Sequence, residues 1–74
     1  MLKTGRNYKW NASDRQFGTS LNKKFFIKTG TIVLVLRHYS MMKIEILITE
    51  IFVDEKIEVL HIPFSTLKYF EEIC

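Results

Sequence analysis

The sequence predicts an α+β fold: a four-stranded antiparallel β-meander, closed by one short C-terminal helix and preceded by an irregular basic arm. Three observations predict it. Between residues 23 and 62, four β-prone runs alternate with short polar or glycine-bearing connections. After Pro63 the apolar spacing lengthens, with Leu67, Phe70, Ile73 and Cys74 at near-helical intervals. Residues 1–22 show neither period and are rich in Asn, Ser, Thr, Gly and basic side chains. The chain thus divides into a basic, aromatic-bearing arm over 1–22 and a single β-β-β-β-α domain over 23–74.

Lys24-Phe25-Phe26-Ile27-Lys28 centres the first expected strand, over 23–28. Thr29-Gly30 supplies a turn, because glycine takes positive φ without a steric penalty. The second strand spans 31–38. Its centre, Ile32-Val33-Leu34-Val35-Leu36, is apolar on both faces and asks for cover on both. Tyr39-Ser40-Met41-Met42 connects it to a long third strand over 43–53, where Glu50-Ile51-Phe52-Val53 breaks the alternation and predicts a bulge or strong twist near Glu50. Asp54-Glu55 makes a polar hairpin turn into the fourth strand, 56–62. Pro63 cannot donate to a ladder and ends it. Ser65 is a suitable N-cap for a helix over 65–74, with Phe64 and Tyr69 placed to form a staple. A helix of about ten residues does not persist alone in water, so it must dock. Glu71 and Glu72 at its C-terminal end oppose the macrodipole and imply a basic neighbour.

A chain of 74 residues is one small domain. At this length only about 60% of the unfolded surface is buried, so the core is marginal. Cys74 is the only cysteine, which excludes an internal disulfide and fits a reducing, cytoplasmic setting. His38 and His61 lack partners at metal-ligand spacing, and no metal or other cofactor is expected. Self-association is the remaining stabiliser, and 47% hydrophobic content supports a homodimer. No apolar stretch follows Met1-Leu2-Lys3-Thr4-Gly5-Arg6, and the longest apolar run is Ile32–Leu36, so neither a signal peptide nor a membrane span is expected. Abundant isoleucine and the excess of lysine over arginine suggest an AT-rich coding sequence.

Charge is divided unevenly. Residues 1–30 carry Lys3, Arg6, Lys9, Arg15, Lys23, Lys24 and Lys28 against Asp14 alone, a net +6. Residues 31–74 carry four basic and seven acidic side chains, a net −3. Such asymmetry points to a polyanionic partner for the basic part, against the alternative of a tail that is basic only for solubility. In the arm, Lys3, Arg6, Lys9 and Arg15 interleave with Tyr8, Trp10 and Phe17. Cations neutralise phosphates and release counterions, and aromatic rings stack on unpaired bases. Together with Lys23, Lys24 and Lys28 these residues form the candidate nucleic-acid site. The competing reading makes Tyr8, Trp10 and Phe17 staples that hold the arm to the domain, and the lysines guards of an edge strand. Arg37-His38-Tyr39 reads as a strand end entering solvent, and His61 as a core or interface histidine. No convergent polar groups suggest catalysis, and the isolated glycines form no phosphate loop.

In element order, β-β-β-β-α behind a basic arm, the expected fold resembles the single-stranded DNA-binding coactivators and Pur-type domains, which implies a dimer. The sequence thus leads to a small, non-enzymatic nucleic-acid-binding protein, with single-stranded DNA or RNA as the partner. The alternative is a protein-interaction factor, such as a phage-type inhibitor that binds a host protein.

Overall fold

The structure, a computed structural model, describes residues 2–39 and 45–73. Its strands are β1 (Asn7–Trp10), β2 (Arg15–Thr19), β3 (Lys24–Ile27), β4 (Ile32–Tyr39), β5 (Ile46–Val53), β6 (Lys56–Pro63) and β7 (Phe70–Ile73). They form one sheet in the order β3-β2-β6-β5-β4-β1-β7, and all neighbours are antiparallel. The fold is therefore an all-β sheet, not a four-stranded meander with a C-terminal helix. The one helical piece among the described residues is a 3₁₀ turn, Phe64–Tyr69. No helix among them is long and apolar enough to cross a membrane.

Three differences from the expected fold have identifiable causes. The first lies in residues 1–22, which supply two strands instead of an irregular arm. In Asn7-Tyr8-Lys9-Trp10 and Arg15-Gln16-Phe17-Gly18-Thr19 the strand alternation sends Tyr8, Trp10, Phe17 and Thr19 inward. The second lies at the C-terminus. Of Leu67, Phe70 and Ile73, only Leu67 lies in a helical turn, the tight 3₁₀ piece Phe64–Tyr69, which Thr66 fastens by donating its Oγ1–H to the Pro63 carbonyl at 2.7 Å. The chain then leaves as β7 and pairs with β1, Asn7 opposite Ile73 and Trp10 opposite Phe70. A strand there gains a ladder that a ten-residue helix lacks. The basic neighbour expected for Glu71 and Glu72 is present nonetheless, with Arg6 2.9 Å from Glu72. The third is connectivity: β4-β5-β6 is a meander, but β3 pairs with β2 and not with β4. With its element order lost, the resemblance to the coactivator and Pur-type domains no longer holds.

The sheet must curl. β2 and β1 stand four places apart, a separation of about 19 Å in a flat sheet, yet only Asn11–Asp14 joins them. Five Cα steps reach at most about 17 Å. Curling brings the two ends of the sheet together over one core, where Trp10 meets Phe17 at a ring-centroid distance of 5.4 Å and Phe70 at 4.8 Å. Trp10 is 2% exposed, Tyr8 4% and Phe17 1%, and they pack with Leu2, Ile27, Val33, Val35, Leu47, Ile51, Val53, Leu60, Ile62 and Phe70. Loops tie the curl. Gly30 donates its N–H to the Trp10 carbonyl and Trp10 donates to Thr31, each at 2.8 Å. The Thr29 N–H donates to Asp14 Oδ1 at 2.9 Å. Gly30 sits at φ +90, the conformation expected of that turn. At the other end of the chain His38 Nε2 holds the Leu2 carbonyl at 2.6 Å.

The irregularity expected near Glu50 lies across the ladder, in β4, where the register shifts between Val35 and Arg37 opposite Ile51 and Glu50. The connection expected at Tyr39–Met42 falls mostly on residues 40–44, outside the described residues, as does Cys74. Asp54 and Glu55 form the expected β5–β6 turn, at φ 51 and 61. Both angles are left-handed, and the two-residue turn that suits them prefers Asn-Gly. Replacing Asp54-Glu55 by Asn-Gly relieves the left-handed penalty by more than glycine's added unfolded-state freedom costs, and should raise stability by about 0.5–1 kcal/mol, read as a higher urea midpoint at constant m.

Candidate nucleic-acid interface

The ten candidate residues separate into three groups. Tyr8, Trp10 and Phe17 are core residues, and in this fold they turn no ring face to a ligand. The Tyr8 hydroxyl accepts the Lys3 N–H at 2.7 Å, and Trp10 Nε1 donates to the Ser13 carbonyl at 2.8 Å. Lys3, Arg6 and Lys9 form a second group, on β1 and the segment before it. Arg6 is spent on Glu72, and Lys9 stands in register between Ile32 and Glu71.

The third group is Arg15, Lys23, Lys24 and Lys28, all exposed and all on the β2–β3 hairpin. That hairpin, residues 15–28, contains no acidic side chain. None of its four cations makes an ion pair among the described residues, whereas Arg6 and Arg37 do, with Glu72 and Glu50. Arg15 lies over the edge of the core, its guanidinium carbon 5.5 Å from the Phe17 ring centroid. β3 is also one end of the sheet, so its outer edge is unpaired among the described residues.

The sequence reasoning missed the groups that accompany these cations. Phe25 and Phe26 are adjacent in a strand, so they point to opposite faces. Phe25 packs against the core and Phe26 stands exposed on the outer face, opposite Gln16. That adjacency was the signal available in the sequence. Register then carries the outer face across five strands, from Lys24 through Gly18, His61 and Ile48 to Tyr39. Gly18 keeps this row low: a Cβ there would lie 4.0 Å from the His61 Cβ. His61, expected in a core or interface, is on this face, with Nε2 3.1 Å from Ser20 Oγ. At the far end the Arg37 guanidinium carbon lies 5.9 Å from the Tyr39 ring centroid. A recess of about 340 Å³ opens at the β1–β2 loop, lined by Trp10, Ala12, Ser13, Asp14, Arg15 and Tyr69.

Lys24 and Lys28 share this face with the exposed rings and hydrogen-bonding side chains, whereas Arg15, in register with the buried Ile27, lies on the other side of the hairpin. The face can hold a polyanion by its phosphates and offer rings to unpaired bases. Among the described residues no three His, Cys, Asp or Glu side chains gather where they could hold a metal ion. No protein family matches the chain, and neither curated proteins nor solved structures show a match to it.

Proposed function

We propose that the protein is a small, non-enzymatic nucleic-acid-binding module of the cytoplasm that acts on single-stranded DNA or RNA as a homodimer. The observation that supports this reading is the β2–β3 hairpin, with four exposed cations, no acid and no ion pair among the described residues. Carboxylates are plentiful elsewhere, at Glu45, Glu50, Asp54, Glu55, Glu58, Glu71 and Glu72. Phosphate contacts fall to Lys23, Lys24, Lys28 and Arg15. Stacking falls to Phe26 and Tyr39 in place of the buried Tyr8, Trp10 and Phe17.

Titration of a fluorescent single-stranded oligonucleotide, followed by anisotropy at several salt concentrations, tests the reading. Four phosphate contacts on a single strand give a log–log salt slope of about −3. Replacing Lys23, Lys24 and Lys28 by alanine should flatten that slope by about 2. Phe26→Ala should weaken binding by about 1–3 kcal/mol at an unchanged slope, because stacking releases no counterions. Absence of binding to both DNA and RNA at low salt would overturn the reading. The basic hairpin would then belong to the alternative, in which it docks on an acidic surface of another protein.

A further inference from the structure

Arg15 stands apart from the outer-face lysines and lines the recess of about 340 Å³ at the β1–β2 loop. That volume is at the lower end of the range for small-ligand pockets, about 300–1,000 Å³. It admits one small molecule or one unit of a polymer. Trp10, Ala12 and Tyr69 give the recess apolar walls, and the Tyr69 ring is open, at 40% exposure. Ser13, Asp14 and Arg15 are polar and exposed. Hydrogen bonds fix the loop before any ligand arrives. Trp10 Nε1 donates to the Ser13 carbonyl at 2.8 Å, the Asn11 N–H to the Tyr69 carbonyl at 2.8 Å, and the Thr29 N–H to Asp14 Oδ1 at 2.9 Å. A site held in this way loses little freedom on binding.

Charge narrows the ligand. Arg15 forms no ion pair among the described residues. Lys68 brings a second cation to the rim, its Nζ 5.3 Å from the Tyr69 ring centroid. Two cations suit an anion, but the Asp14 carboxylate beside them repels one. The three together suit a ligand with an anionic group at one place and hydrogen-bond donors at another. A carboxylate has about four acceptor sites. Thr29 engages Oδ1 alone, and Oδ2 accepts no hydrogen bond among the described residues. Guanine presents two adjacent donors, N1–H and N2–H, on its Watson–Crick edge, whereas adenine has an acceptor at N1. Bases of unpaired strands are read on this edge while they stack on aromatic rings.

We propose that the recess is a guanine-nucleotide site. Asp14 accepts from N1–H and N2–H, Tyr69 offers its ring to the base, and Arg15 with Lys68 holds the phosphate. The guanine comes from a free nucleotide or from a bound strand. In the second case the site rests on the nucleic-acid reading above and adds a base preference to it. Arg15 is in register with Ile27, next to Lys28, so a strand along Lys24 and Lys28 arrives beside the recess.

Nuclear magnetic resonance titration of the full chain with guanosine 5′-monophosphate tests the site. Trp10 is the only tryptophan, so one indole N–H signal reports on the wall. That signal should shift saturably, and adenosine 5′-monophosphate should bind about tenfold more weakly, the discrimination of one bidentate pair. Asp14→Asn should bring the two nucleotides to similar affinity. Arg15→Ala should weaken both alike and leave guanosine, which lacks the phosphate, unchanged. Arg15 is exposed, so this comparison decides the matter even if Asp14→Asn fails to fold. Oligothymidylates carrying one guanine or one adenine separate the two sources: a guanine preference here places the site on strands, and a preference confined to mononucleotides overturns that use. Equal response to the two mononucleotides, or none, overturns the site and leaves strand binding by the lysines standing. Strands that fail to bind while guanosine 5′-monophosphate binds overturn the nucleic-acid reading alone.

Discussion

Trp10→Ala is expected to lose about 3–5 kcal/mol of folding stability, the range for truncating a large buried aromatic ring. A chain of this size holds only about 4–11 kcal/mol in total, so the variant should lose a large share of its stability. The ring has neighbours on several sides. Phe17, Tyr69 and Phe70 lie 5.4, 5.9 and 4.8 Å away by centroid. Its indole N–H also satisfies the Ser13 carbonyl in the loop that closes the curl. Alanine opens a cavity between the two ends of the sheet and leaves that carbonyl without its donor. Chemical denaturation followed by far-ultraviolet circular dichroism measures the loss. A change below about 1 kcal/mol, the scale of an ordinary surface substitution, would show that the ring is not a structural keystone.

Deleting residues 1–10 should abolish cooperative unfolding altogether. β1 lies between β4 and β7, so its removal exposes one edge of β4 and leaves β7 with no partner among the described strands. The core loses Leu2, Tyr8 and Trp10 at once. Gly5 and Arg6 also leave, with the 2.7 and 3.0 Å bonds that they make to Val35. The truncated chain should show no sharp urea transition. A docking tail would behave oppositely: its removal would leave the transition of the remaining domain intact. A cooperative transition in the truncated chain would contradict the place assigned to β1.

The contrast between these results and the expected arm shows what the sequence made legible. The strands from Lys24 to Pro63 could be read because each has enough β-branched and aromatic residues to show its period. The turn at Asp54-Glu55 could be read because both neighbours are strands of eight residues. β1 and β2 are four and five residues long; β1 has two large apolar positions, Tyr8 and Trp10, and β2 has one, Phe17. In so short a run, Tyr8, Trp10 and Phe17 look the same whether they face a core or a ligand. Only a partner strand distant in sequence decides between these, and a local pattern does not contain it. The same gap explains Phe70. Its spacing from Leu67 and Ile73 fits a helix until β1 offers an edge for pairing. For the candidate site, the cations of the β2–β3 hairpin were visible as charge, but Phe26, His61 and Gly18 join them only through register.

The pairing of Asn7 with Ile73 has a kinetic consequence. No segment that stops before residue 70 can complete this sheet, because β1 gains its second neighbour only when β7 arrives. Until then the Trp10 ring lacks Phe70 on one side. Native contacts separated by most of the chain raise the contact order, and loop-closure entropy must be overcome before those contacts form. Folding should therefore be slow for so small a protein, in the millisecond-to-second range of sheet-dominated domains. A nascent chain would carry β1 with one edge open until β7 is made, and that interval is when it is most exposed to aggregation.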